Sequence, residues 1–292
     1  MKRIKEVITR FPLVFYIIIT FTVSWSLLLV VIGGPGRILV PNEEALPLVP
    51  LAIVAMLPGP ALAGVLATLL VSGRAGFREF FSRLRIWRAG IPSYAAALLT
   101  APLIASTILF VLLQFSPEYL PAIAASDDKV FFILIGITAG LLVGLFEEIG
   151  WTGFALPWLR RRYGVVSSGL ILGFMWGAWH YILALWGSGT AGGDLVLGRF
   201  LPEMLFYVAV LPVYRVLMAW LYEHTGSLLL AVLMHAMLTG IVPNILMPPA
   251  ITGSGLTIWY LIMAAVLWFF VGLASRANGG QLAAHTSGEQ AV

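Results

Sequence analysis

Glu147 and Glu148 stand side by side in an apolar run that begins near Val130 and meets no other charge before Arg160. An ionised side chain at the centre of a bilayer costs about 2.5–3.5 kcal/mol even on the mildest insertion scales. Adjacent acids at that depth must therefore face a polar cavity, pair with a cation or take up a proton. Ionisable residues inside membrane spans are by default functional groups. A carboxylate in such a place is suited to taking a proton from water. The surrounding residues are Phe146-Glu147-Glu148-Ile149-Gly150-Trp151-Thr152-Gly153-Phe154-Ala155-Leu156-Pro157.

Two of the four histidines can join them. His180 closes Trp176-Gly177-Ala178-Trp179-His180, and His235 opens His235-Ala236-Met237-Leu238-Thr239, both within apolar runs. His224 falls in a turn and His285 in the C-terminal tail, so both read as bystanders. A lone buried histidine is more often a structural hydrogen-bonding group; two of them beside a diacid on a third span are harder to set aside. At about 1.5 Å per residue, Glu147 and His235 lie roughly 14 Å from one end of their spans and His180 roughly 22 Å. Modest tilt brings all three to one depth.

Spacing assigns the faces. His235 and Thr239 are four apart and share a face, as do Glu147 with Trp151 and Glu148 with Thr152. Glu147 and Glu148 diverge by about 100°, so one can face a cavity while the other braces a neighbouring helix.

The elements that must position these groups are membrane helices. Of 292 residues 60% are apolar and 10% charged, against about 25% charged in a soluble domain; mean hydropathy is +0.98. The fold class is all-α and polytopic, since a β-barrel would show short alternating segments. Eight spans are expected near residues 12–33, 47–71, 92–114, 130–156, 165–186, 200–221, 226–247 and 256–274. Pro58 and Pro60 should kink the second and Pro212 the sixth. The first run is too long for a signal-peptide core and lacks a small-x-small cleavage site, so it reads as a retained span. Residues 1–276 form one transmembrane domain, with a catalytic core at about 130–243 and a disordered cytoplasmic tail at 277–292.

Charge sets the expected orientation. With the N-terminus inside, fourteen of the 17 lysines and arginines fall on the cytoplasmic side, Arg215 counted among them, leaving Arg37, Lys129 and Arg199 opposite. This places both termini in the cytoplasm of a multi-pass, bacterial-type inner-membrane protein. The same clustering beside apolar spans excludes a nucleic-acid partner despite a net charge of +4. With no cysteine, disulfides, thiol nucleophiles and thiolate-bound zinc are excluded. Between Gly73 and Gly90, Phe77, Phe80, Phe81, Leu84 and Trp87 recur at helical spacing among five arginines. That pattern fits an amphipathic helix on the cytoplasmic leaflet, or else a basic loop that enforces topology.

The motif Glu-Glu-x-Gly-Trp-x-Gly-Phe-x-Leu-Pro, followed by Trp-x-x-x-His and His-x-x-x-Thr, resembles the CPBP family of intramembrane proteases. Its members include type II CAAX prenyl endopeptidases and Abi-type bacteriocin-processing or immunity proteins. The Tyr222-Glu223-His224-Thr225-Gly226-Ser227 turn fits the same pattern, and the resemblance covers roughly Gly73 to Pro243. Two positions depart from it: Thr152 stands where the family usually has arginine, and Thr239 where it usually has asparagine. The first removes a partner for a glutamate; the second exchanges an amide donor for a hydroxyl.

The resemblance implies an endopeptidase cutting a peptide or membrane-protein substrate, prenylated in the best-studied case, near the cytoplasmic face. It implies Glu147 as general base on a water with His180 assisting, and His235, with Thr239, as donor to the oxyanion. The same Glu147, His180 and His235 would alternatively make a catalytic zinc site with an open position. The spacing favours the metal-free version, because no pair has the tight i, i+4 placement of a His-Glu-x-x-His helix. Two other readings use the same residues: a non-proteolytic Abi-like immunity or scaffold protein, and a proton-coupled transporter. Gly187-Ser188-Gly189 and Gly253-Ser254-Gly255 read as flexible loops on the far side, out of reach of either histidine.

Overall fold

The computed structural model describes residues 2–40 and 45–277. The chain is a bundle of helices: α1 (Lys2–Arg10), α2 (Pro12–Ile32), α3 (Ala45–Met56), α4 (Pro58–Ser82), α5 (Ile91–Leu113), the short α6 (Ala122–Ala125) and α7 (Lys129–Gly150). They are followed by α8 (Leu156–Arg160), α9 (Val165–Trp179), α10 (Tyr181–Gly187), α11 (Leu197–Leu205), α12 (Leu211–Thr225), α13 (Leu228–Ala236) and α14 (Gly253–Ala277). Seven helical stretches are long and apolar enough to cross a membrane, and α9 with α10 makes an eighth if that bent pair is one span. The chain is therefore a polytopic all-α membrane protein. The expected fifth span differs from a plain helix: it bends by 40° at His180.

Proline explains where the helices depart from regularity. α3 gives way to α4 at Leu57, immediately before Pro58, because proline lacks an amide hydrogen and its ring presses on the carbonyl four residues back. Three wider, π-helical segments occur among the described residues, at Trp151–Ala155, Phe206–Val210 and Met237–Leu246. The residues four before Pro157, Pro212 and Pro243 are Gly153, Val208 and Thr239, and each lies in one of these segments. The widened turn moves the obstructing carbonyl aside. The first and third segments follow closely on Glu148 and His235, and the second contains Tyr207.

Close helix contacts rest on glycine. α7 presents Gly136, Gly140 and Gly144 to α13 and the segment after it; a Cβ on Gly140 would lie 2.5 Å from the Ala236 carbonyl oxygen. α9 presents Gly169, Gly173 and Gly177 to α12 and the segment before it, and a Cβ on Gly173 would lie 2.3 Å from Pro212 Cα. Without a hydrophobic drive between helices in lipid, small residues that admit close backbones hold the bundle together. They also bring α12 within reach of the diacid.

The amphipathic stretch is shorter than expected. The helix turns at Gly73 (φ 63°), continues to Ser82, and closes with a single tight turn at Arg83–Arg85. Its Phe80 is buried and packs on Gly153 instead of lying on a leaflet. The next stretch is held by Ser227, whose hydroxyl donates to the Ile86 carbonyl (2.5 Å) and accepts from Leu230 N as the cap of α13. Gly226 supplies the left-handed residue that ends α12 (φ 62°).

The two serine stretches are also not loose. Ser188 is fully buried, and Gly253-Ser254-Gly255 forms the first turn of α14, beside Glu118, which accepts from the Thr252 hydroxyl (2.8 Å). Ala277 ends α14, and the rest of the expected tail, with His285, lies outside the described residues.

Candidate active site

The diacid is divided as the helical geometry requires. Glu148 turns toward α12 and α13 and is fully buried. Arg215 Nη1 donates to both its oxygens at 2.8 Å, the Thr152 hydroxyl donates to Oε2, and His235 Nδ1 donates to Oε1 at 2.6 Å. Glu147, 2% exposed, turns toward α9. Its Oε2 accepts from the indole N–H groups of Trp176 (2.6 Å) and Trp151 (3.2 Å), and no hydrogen bond to Oε1 is made among the described residues.

Trp176 is the shared wall. Its edge holds Glu147, Arg215 Cζ lies over its ring at 4.2 Å, and the His235 ring packs against it at 4.8 Å. The cation over an indole face adds attraction that is strongest away from water. His180 reaches the same cluster through the bend between α9 and α10. Its Nδ1 donates to the Trp176 carbonyl (2.9 Å), its ring stacks on Tyr207 at 4.7 Å, and Trp179 approaches edge-on at 4.8 Å. The Trp25 indole donates to the Trp179 carbonyl (2.9 Å), tying the bend to α2.

These hydrogen bonds fix which ring nitrogens are free. Each histidine donates through Nδ1 to an oxygen that can only accept. His180 Nε2 is then a lone-pair acceptor for a water hydrogen. His235 Nε2 is buried and makes no hydrogen bond within the described residues. It accepts when the ring is neutral and donates when the ring carries a second proton.

The structure thus brings Glu147, Glu148, His180 and His235 around one indole. Thr239 lies one turn past His235, but its hydroxyl donates to the His235 carbonyl (3.1 Å), the usual arrangement for threonine inside a helix. The nearest amide, Asn244, is spent on the Thr239 and Gly240 carbonyls (3.2 and 3.0 Å).

Arg215 is the residue that sequence reasoning missed. Counted as a cytoplasmic loop charge, it is fully buried inside the Leu197–Thr225 span. The signal was present: Arg215 sits between Leu211-Pro212-Val213-Tyr214 and Val216-Leu217-Met218-Ala219-Trp220, the setting in which an intramembrane charge should be read as functional. Arg215 supplies the guanidinium that Thr152 lacks.

The donor set does not fit the zinc alternative. Among the described residues no three His, Asp or Glu side chains are grouped to hold one ion.

A polytopic helical membrane protein whose buried diacid and two histidines converge from three helices is the class these features define. Residues 129–241 match the family described as Type II CAAX prenyl endopeptidase Rce1-like. The chain is 25% identical over 123 residues to CAAX prenyl protease 2 of Methanococcus maripaludis, covering 42% of this chain and 40% of that relative. The match therefore spans about two fifths of the curated relative's length. The family match covers the segment that carries the diacid, His180 and His235.

Proposed function

We propose that this protein is an intramembrane endopeptidase that hydrolyses a peptide bond with a water activated by Glu147. The observation that carries the reading is the unequal use of the two acids. Glu148 is saturated by Arg215, Thr152 and His235, whereas Glu147 is oriented through one oxygen only. A base needs a fixed direction and a free oxygen, and Glu147 has both.

In this scheme Glu147 Oε1 takes a proton from water while His180 Nε2 accepts the water's other hydrogen and holds its lone pair toward the scissile carbonyl. The tetrahedral oxyanion is met by His235 Nε2–H in the imidazolium form, which requires the Glu148 carboxylate behind it. Glu147 then returns its proton to the leaving amine. Glu148 and Arg215 are positioning residues: they hold His235 and the Trp176 ring, and through that ring the Glu147 carboxylate. Thr239 contributes to the oxyanion only if its hydroxyl turns away from the His235 carbonyl.

The substrate class we favour is a membrane-bound peptide, prenylated as the names of the matching family and relative indicate. The charge asymmetry supports a cytoplasmic placement of the arginine-rich end. Comparing membrane peptidomes of cells carrying wild type or Glu147→Gln tests the reading. Peptides that appear only with wild type, sharing a cleavage position, are expected; identical peptidomes at equal expression would overturn it.

A further inference from the structure

The bundle carries a cavity away from the diacid, at its arginine-rich end. A groove of about 390 Å³ runs between the start of α2 and the α8–α9 corner. Arg10, Arg161 and Arg162 stand at it, and Leu13, Ile171 and Met175 line its apolar part. The guanidinium of Arg161 lies 3.6 Å from the centre of the Trp158 ring, and that of Arg10 lies 5.3 Å from Phe11. Both cations are thus laid against aromatic surface at the rim.

These arginines differ from their neighbour. Arg160 is used within the fold, its Nε 3.0 Å from a Glu223 oxygen. Among the described residues no carboxylate lies within ion-pair distance of Arg10, Arg161 or Arg162. Val14 and Phe174 are more than half exposed on the adjoining helices, as expected of side chains that face acyl chains.

We propose that this groove is a binding site for an anionic phospholipid of the surrounding bilayer. The phosphodiester is held by Arg10, Arg161 and Arg162, and an acyl chain lies along Leu13, Ile171 and Met175. Charge complementarity selects the headgroup, since guanidinium pairs with phosphate oxygens in a fork geometry. The apolar floor selects a ligand that brings its own hydrocarbon, which a soluble phosphate does not. Basic pockets between helices at a membrane surface bind lipid headgroups on these grounds.

The test is thermal unfolding of the full chain in nanodiscs of phosphatidylcholine alone and of phosphatidylcholine with phosphatidylglycerol. Wild type is expected to unfold several degrees higher in the anionic discs. Arg161→Gln/Arg162→Gln should lose at least half of that gain, whereas Arg74→Gln/Arg78→Gln, which removes two exposed charges from α4, should keep it. Equal gains in both double variants would mean diffuse surface attraction and would overturn the site, as would no gain in wild type. Inorganic phosphate added to phosphatidylcholine discs is expected to give no shift; a full shift would assign the site to a soluble anion instead. Native mass spectrometry gives an independent readout, with retained phosphatidylglycerol expected on wild type and depleted on Arg161→Gln/Arg162→Gln; equal retention would count against the site.

Discussion

Arg215 and Glu148 meet at 2.8 Å with neither side chain accessible to solvent, joining α12 to α7 across 67 residues of sequence. Breaking a buried pair leaves one charge uncompensated, at a cost of about 3–5 kcal/mol. Arg215→Met should therefore lower the unfolding temperature sharply and abolish activity. Thr152 Oγ1 is 3.5 Å from Arg215 Nη1, so Thr152→Arg combined with Arg215→Met should recover most of the lost stability. Thermal unfolding of wild type and both variants in detergent checks this; a double variant no better than Arg215→Met would refute the exchange.

The two acids should separate by phenotype. Glu147→Gln keeps an oxygen for the indole donors, so its unfolding temperature should stay close to wild type while turnover falls by about 100-fold or more. Glu148→Gln removes the charge that faces Arg215 and His235 and should lose stability and turnover together. Parallel unfolding and cleavage assays distinguish the two.

Trp176→Phe removes the shorter hydrogen bond to Glu147 while retaining an aromatic face for Arg215. A hydrogen bond to a charged group contributes about 1.5–3 kcal/mol, so turnover should fall by about 10- to 100-fold, with the larger part in kcat if the indole orients the base. A change confined to KM would place Trp176 in substrate binding instead.

Gly140→Ala should destabilise through overpacking, by about 1–3 kcal/mol, because its Cβ would meet the Ala236 carbonyl at 2.5 Å and cannot displace backbone. Gly272, with no atom close to its Cβ position, is the matched control and should tolerate alanine. Unfolding temperatures of both variants test the contact.

Because no three His, Asp or Glu side chains are grouped to hold one ion among the described residues, activity should survive strong chelators. Purified protein should carry no stoichiometric zinc by elemental analysis. Loss of turnover on chelation, restored by zinc, would require a rearranged site.

Much of this was legible in the residues themselves. Apolar length placed the spans, and i, i+4 spacing paired Glu147 with Trp151 and Glu148 with Thr152, the contacts the side chains make. What spacing could not supply was relative rotation between helices. Arg215 looked like a topology charge because its role depends on glycines of α9 letting α12 approach, a tertiary fact. The bend at His180 was hidden for a related reason: no proline marks it, and what holds it is the Tyr207 ring stacked on His180 and the Trp25 indole donating to the Trp179 carbonyl, both distant in sequence.

A cation carried on α12 has a consequence for biogenesis. At about 5–20 residues per second, the ribosome finishes Glu148 several seconds before it makes Arg215. Helix α7 thus reaches the insertion machinery with two acids and no basic residue of its own beyond Lys129 at its start. Until α12 is made, Glu148 lacks its guanidinium partner, so α12 completes a pairing that α7 cannot make alone. Truncations ending before Leu211 should leave nascent α7 unprotected and marked for degradation.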